Sequence, residues 1–364
     1  MSKTIILTGG GTAGHVTPNL ALMPHLKKLG YDIHYIGSSG MEKDIIQPVQ
    51  GVTYHTVSSG KLRRYFSLKN FSDPFRILAG VVQSRRIIKQ VKPCVVFSKG
   101  GFVGVPVVIA AKMRHVPVVI HESDMTMGLA NCLVAPYADA ICATFPGALK
   151  DIPGGKGVVT GSPLREELFQ GDIEKGRRLC GFGDKKPVIL VVGGSSGAQA
   201  VNGFIRAILP RLLRHYNVAH ICGRGNIDGP LNGTPGYKQF EYLDALEEYP
   251  HVLALCGLAV SRSGANAVVE FSALKKPALY IPLPPSQSRG DQVHNARYAQ
   301  GEGFCSVIMQ DEITDDSLYL AIEALYHDRA RYIKAMENNK GFSQGTKNVL
   351  EIILKHCQDY GKTK

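Results

Sequence analysis

Twice in this chain an apolar, β-branched run leads directly into a glycine-rich turn and then into a helical pattern. The first is Ile5-Ile6-Leu7-Thr8 followed by Gly9-Gly10-Gly11-Thr12-Ala13-Gly14, and the second is Val188 to Val192 followed by Gly193-Gly194-Ser195-Ser196-Gly197. Near-continuous apolar strands that alternate with helices belong to parallel sheets covered on both faces. Further strands are expected at Asp32–Ile36, Thr53–Val57, Cys94–Phe97, Val116–Ile120 and Ala140–Ala143 in the first half. In the second half they are expected at Val218–Cys222, Lys238–Glu241, Leu258–Ser261, Ala278–Ile281 and Phe304–Ile308. The expected fold class is therefore α/β, with two doubly wound Rossmann-like domains facing each other across a cleft. In such sheets ligands sit beyond the carboxyl ends of the strands. A length of 364 residues also suggests two domains. The turn-rich stretch 153–157 and Gly161-Ser162-Pro163 mark the break, which gives a first domain over 1–161 and a second over 162–340. A helical segment over 341–364 is expected to pack back on the first domain.

No run of about 18 apolar residues exists, so no membrane-spanning helix is expected. The N-terminus enters a strand-like run at once and does not read as a signal peptide. Eight scattered cysteines form no CxxC pair, so neither a zinc site nor a disulfide framework is expected, and a reducing cytoplasm is the better compartment. The formal net charge of +12 is unevenly spread: residues 1–163 carry 18 basic and 8 acidic side chains. Residues 61–92 alone hold nine basic residues against Asp73. Leu62, Tyr65, Phe66, Leu68, Phe71, Phe75, Ile77 and Leu78 are mixed among them. A localised positive field of this kind needs an anionic partner, whether nucleic acid, acidic substrate or anionic membrane surface. Interleaved apolar residues and no spanning helix favour a peripheral lipid-facing surface, with Arg63, Arg64, Phe66 and Lys69 facing the membrane.

The glycine turn at 9–14 lets backbone approach an anion, and the helix after it points N–H groups at that anion. Gly9, Gly11 and Gly14 also satisfy GxGxxG. The acid that would grip a dinucleotide ribose is missing from the end of the second strand, which reads Tyr35-Ile36-Gly37-Ser38-Ser39, so NAD binding is discounted. His15 follows the loop, where a neutral imidazole accepts a proton from an attacking hydroxyl or orders the loop. Thr17 and Pro18 are expected to cap and open the next helix. Lys99-Gly100-Gly101 is a second turn of the same kind. His121-Glu122-Ser123-Asp124 is expected to bring an imidazole and two carboxylates to the same rim, in a spacing that matches no strong metal motif. In the second half, Gly193 to Ala198 lacks the Lys of a nucleotide-triphosphatase loop. Arg165 suits a phosphate, Glu270 suits ribose hydroxyls, and Asp291-Gln292 at a helix start suits a sugar.

These stretches together (GGGTAGHVTP, GGFVGVP, HESDMTMGLAN, TGSPLR, GGSSGA, SRSGANAVVE and RGDQVHNA) resemble the MurG family of undecaprenyl-diphospho-muramoylpentapeptide N-acetylglucosaminyltransferases over essentially the full chain. The resemblance implies a GT-B fold and inverting transfer of GlcNAc from UDP-GlcNAc to the 4-hydroxyl of the muramic acid of lipid I, giving lipid II in peptidoglycan synthesis. It places the chain peripherally on the cytoplasmic face of the cell membrane. It implies no cofactor and no essential metal, in keeping with the lack of an Asp-x-Asp. By motif, Arg165 and Ser195 would contact the diphosphate. Ala265, Asn266 and Glu270 would line the donor, with Glu270 on the ribose, and Asp291 and Gln292 would read the GlcNAc. Backbone near Tyr242 would meet uracil. Thr12, Ala13 and Gly14 would approach the acceptor, with His15 as base. The chain departs from the common pattern where Ala13 replaces a Gly, Asp124 an Asn, and Asp291 the first of two Gln. Asp124 is thereby a rival base. Partners implied by the resemblance are the UDP-GlcNAc donor, the lipid I acceptor and other cell-wall or division proteins.

Two other readings are open. One is another GT-B enzyme, such as a UDP-GlcNAc 2-epimerase or a different lipid glycosyltransferase. The other is a basic nucleic-acid-binding protein that stacks bases on Tyr65, Phe66, Phe71 and Phe75. No nucleic-acid motif accompanies those aromatics, and nucleic acid is not an expected partner.

Overall fold

The computed structural model describes residues 3–60, 69–194, 197–339 and 341–362. Two compact units divide the chain, Met1–Arg165 with Gln344–Lys364, and Glu166–Ser343.

Among the described residues the first unit holds seven strands: β1 (Thr4–Thr8), β2 (Asp32–Gly37), β3 (Val52–Thr56), β4 (Val95–Ser98), β5 (Val118–Glu122), β6 (Ala140–Ala143) and β7 (Gly157–Val159). All pair in parallel, in the order β3-β2-β1-β4-β5-β6-β7. The side-chain alternation of a strand divides their apolar residues between two faces. Ile6, Ile36, Val96, Val118, Ile120 and Ile141 point to one face. There they meet α3 (Lys69–Val91), α4 (Gly104–Met113) and α5 (Leu129–Val134) through Val81, Ile88, Val107, Ala110 and Val134. Ile5, Leu7, Ile33, Tyr35, Phe97 and Val119 point to the other face, against α1 (Thr17–Lys28) and α2 (Met41–Ile46). The C-terminal helix Gly345–Lys362 lies on that second face, adding Val349, Leu350, Ile353 and Cys357 to its core. Thr346 both donates to and accepts from the Leu164 backbone, which ties the start of this helix to the end of the unit's main segment.

The second unit holds β8 (Val188–Val192), β9 (Asn217–Ile221), β10 (Tyr237–Phe240), β11 (Leu258–Ser261), β12 (Ala278–Tyr280) and β13 (Cys305–Val307). Again every pairing is parallel, in the order β10-β9-β8-β11-β12-β13. Its helices are α6 (Ile173–Cys180), α7 (Gln199–Leu212), α8 (Tyr249–Leu255), α9 (Ala265–Ala273), α10 (Asp291–Gly301), α11 (Asp315–His327) and α12 (Arg329–Asn338).

Three local expectations are corrected. Thr17 is the first helical residue of α1 and not its cap; its hydroxyl donates to the Ala13 carbonyl at 2.9 Å. β5 begins and ends two residues later than the apolar run suggested, so His121 and Glu122 belong to the strand. Cys94 and Cys357 form a disulfide across 263 residues, although no cysteine pairing was expected. Their Cα atoms lie 4.8 Å apart because the C-terminal helix returns to β4, a proximity that local spacing does not reveal. Among the described residues no helix is long and apolar enough to cross a membrane.

Candidate active site

In the first sheet the strand order reverses direction between β1 and β4, which opens a crevice at their carboxyl ends. β1 leads into the glycine turn 9–14 and β4 into Lys99-Gly100-Gly101. Gly101 has φ +80, and a Cβ on it would come within 2.4 Å of the Gly10 carbonyl oxygen and 3.1 Å of His15 Nδ1. Glycine is what lets the two turns touch. They share a pocket of ≈ 590 Å³ lined by Gly10, Gly11, Thr12 and His15 from one side and Gly101, Phe102 and Val103 from the other. Ser38, Glu42, Asp73 and Arg76 complete much of the wall.

Within it, His15 closes the short 3-10 turn Ala13–His15. Its Nδ1 lies 3.0 Å from the Gly10 carbonyl and 3.2 Å from Thr12 Oγ1. A carbonyl only accepts, so Nδ1 carries the proton and Nε2 is the acceptor nitrogen. Glu42 was missed by sequence reasoning, which sought an acid at the very end of β2. Fully buried on α2, it accepts from Gly11 N at 3.2 Å, from Ser38 N at 2.9 Å and from the Ser38 hydroxyl. Burial raises its pKa, but these hydrogen bonds outweigh burial and hold the carboxyl below its ordinary value. Glu42 thus fixes the glycine turn and spends its oxygens on protein groups rather than on a ribose.

At the end of β5 the expected rim splits. His121 follows the strand alternation inward with Val119. It is fully buried, packs edge-on to Phe97, and places Nε2 2.9 Å from the Gly161 carbonyl. Glu122 is also buried and accepts from Asp124 N at 3.0 Å, Gly128 N at 2.9 Å and Asn131 Nδ2 at 2.8 Å. Asp124 stays half-buried, and it is not among the residues lining the pocket. Lys99, another residue missed, is 1% exposed and donates from Nζ to Ser123 Oγ.

In the second unit, the loops after β11 and β12 are knitted together. Arg262 donates to the carbonyls of Ile281 and Pro282 at 2.9 and 3.0 Å and to Gln310 Oε1 at 2.6 Å, clamping the proline loop. Ser263 Oγ donates to the Gln292 carbonyl, and Asn295 Nδ2 to the Ser263 carbonyl. Ala265 and Asn266 form the first turn of α9, with Glu270 one turn further; Asp291 and Gln292 open α10 against it. Gln292 Oε1 accepts from Leu283 N at 3.0 Å. Asp291 lies 3.7 Å from Arg289. Tyr242 is exposed after β10, where Glu241 accepts from Gly225 N. A separate polar pocket of ≈ 450 Å³ lies between α7 and the loop 225–229, and among the described residues none of the expected donor residues lines it. Arg165 is buried at the end of the first unit's main segment. Arg63, Arg64, Phe66 and Ser195 lie outside the described residues, and Lys69 is the first residue of α3. No group of three or more His, Cys, Asp or Glu suited to a metal occurs among the described residues.

Residues 5–143 match the glycosyltransferase family 28 N-terminal domain, and residues 188–350 match the glycosyltransferase family 28 C-terminal domain. A relative from Clostridium tetani is 51% identical over 357 residues, covering 98% of this chain and 99% of its own. It is named UDP-N-acetylglucosamine–N-acetylmuramyl-(pentapeptide) pyrophosphoryl-undecaprenol N-acetylglucosamine transferase. The fold is also that of the crystal structure of Acinetobacter baumannii MurG, with a TM-score of 0.71 and 24% identity over 97% of this chain and 99% of that one. It is shared equally with a UDP-GlcNAc 2-epimerase from Neisseria meningitidis bound to UDP-GlcNAc, with a TM-score of 0.68 and 14% identity over 97% and 100%.

Proposed function

The chain belongs to glycosyltransferase family 28, and from that premise we propose how it works: it transfers GlcNAc from UDP-GlcNAc to the 4-hydroxyl of the muramic acid in lipid I, forming lipid II. The observation that carries this reading is half-identity across both domains to a transferase of that name. The fold alone does not separate a transferase from an epimerase, since both share it.

The first unit takes the acceptor at the paired glycine turns. Thr12, Ala13 and Gly14 approach the sugar and the lipid diphosphate, and backbone N–H groups of the turns meet the anion. Nε2 of His15 is set to receive the proton of the attacking hydroxyl. The second unit takes the donor. Ala265 and Asn266 at the head of α9 face the diphosphate, Glu270 accepts from the ribose hydroxyls, Asp291 and the Gln292 amide read the GlcNAc, and the backbone near Tyr242 meets uracil. Arg165 and Ser195 serve the diphosphate. In a single displacement the hydroxyl oxygen bonds to the anomeric carbon as the bond to the UDP oxygen breaks. The proton goes to the base and the negative charge to UDP, where a helix N-terminus and a guanidinium stabilise it.

The protein meets the cytoplasmic face of the membrane through α3 and the basic segment before it. Phe75, Leu78 and Val82 are 75%, 62% and 45% exposed at a spacing of three and four residues, so they share one helix stripe. Arg76, Arg85, Arg86 and Lys89 are exposed on the same helix. An apolar stripe among cations suits an anionic lipid surface. The test of function is UDP release with and without a lipid I analogue. Acceptor-dependent release supports transfer; conversion of UDP-GlcNAc to its 2-epimer without acceptor contradicts it.

A further inference from the structure

Lysine is almost never fully buried unless its charge is compensated. Lys99 is buried at the head of the second glycine turn, and the mechanism above gives it no task. Its hydrogen bond to Ser123 Oγ goes to a neutral acceptor and leaves the charge to be balanced from nearby. The negative charges that act on it are Glu122 and Asp124. Glu122 is already occupied by two backbone N–H groups and Asn131. The other titratable groups facing Lys99 are Cys142 on β6 and His121 on β5. Burial pushes the Cys142 thiol up to about 12, and burial together with the Lys99 charge drives the His121 imidazole well below its ordinary range. Both are therefore neutral near pH 7. His15 lies beyond Gly101, with its Nδ1 committed to the Gly10 carbonyl. The charge balance at this point comes down to one buried cation against the carboxylates of the β5 end.

We propose that Lys99 is a positioning residue for the acceptor side of the transfer, holding the Ser123–Asp124 turn beside the second glycine turn through its ammonium. The inference rests on the glycosyl-transfer reading. Burial brings Lys99 down to about 8 against the pull of Glu122 and Asp124, so the cation is present at neutral pH and lost not far above it.

The test is the pH profile of kcat/KM for a lipid I analogue at saturating UDP-GlcNAc, using the full-length protein. Lys99→Met should lower kcat/KM most at neutral pH and converge on the wild-type value at alkaline pH, where Lys99 has lost its proton. Lys99→Arg should move the alkaline limb to higher pH, and KM for UDP-GlcNAc should stay constant throughout. A Lys99→Met enzyme slowed by the same factor at every pH overturns the proposal. Should Lys99→Met fail to fold, Ser123→Ala decides: kcat/KM lowered at neutral pH and converging on the wild-type value at alkaline pH supports the proposal, and an unchanged profile overturns it. A wild-type protein that forms no product at any pH overturns the functional reading, and this inference with it.

Discussion

His15 owes its protonation pattern to a backbone neighbour. The Gly10 carbonyl fixes the proton on Nδ1, and Gly101 leaves room for that contact only because it has no Cβ. The glycines and the histidine were legible in the sequence because they sit side by side in one turn. Glu42, Lys99 and Arg262 were not, because their partners lie on loops distant in sequence: Glu42 reaches back to Gly11, Lys99 across to Ser123, and Arg262 to Ile281. A base near the acceptor hydroxyl contributes roughly 10²–10⁴-fold. His15→Ala should lower kcat by that order while leaving UDP-GlcNAc affinity within a few-fold, as measured by steady-state kinetics beside calorimetric titration of the donor. A kcat near that of the wild type would remove His15 from the base role.

At the level of elements, the apolar β-branched runs marked nearly every strand. The boundaries slipped where polar residues are buried inside a strand: His121 and Glu122 continue β5 because Gly161, Gly128 and Asn131 supply their hydrogen bonds. A similar network joins β9, β10 and α7. His220 is fully buried, with Nδ1 2.8 Å from the Tyr237 hydroxyl and Nε2 2.9 Å from Asn202 Oδ1. Burial, with the Arg206 charge second, lowers its pKa to about 3. The unfolded chain therefore binds a proton at this histidine first. Stability from this group is complete above about pH 6.5 and falls by about 1.4 kcal/mol per pH unit below it, until the folded-state value is reached. Denaturant unfolding between pH 7 and pH 5 should show this loss in the second unit's transition. His220→Gln should start less stable and vary less with pH; an identical slope in both proteins would contradict the assignment. For α3, replacing Phe75, Leu78 and Val82 with Ser should weaken sedimentation with anionic liposomes by at least about tenfold without changing transfer to a soluble acceptor analogue. Unchanged sedimentation would move the membrane surface elsewhere.

Over the whole molecule, the two strand–glycine–helix openings of the sequence became two parallel sheets with their glycine turns at the carboxyl edges, and that much was readable from local pattern. The sequence pattern pointed the last helix back to the first domain; what was not readable is which residues of distant segments meet. Residues 344–364 complete the core of the first unit, and Cys357 meets Cys94 there, because an amphipathic helix buries its apolar stripe wherever a matching sheet face is open. The same reach of fold beyond chemistry explains why a transferase and an epimerase share this architecture, so function rests on the residues at the sheet edges and on kinship to named transferases. The most direct measurement incubates the full-length protein with UDP-GlcNAc and a lipid I analogue and determines the linkage of the product by NMR. One β-linked GlcNAc on the muramic acid 4-hydroxyl per UDP released is the predicted result. An α-linkage, or UDP-GlcNAc consumed with no sugar on the acceptor, would contradict the account.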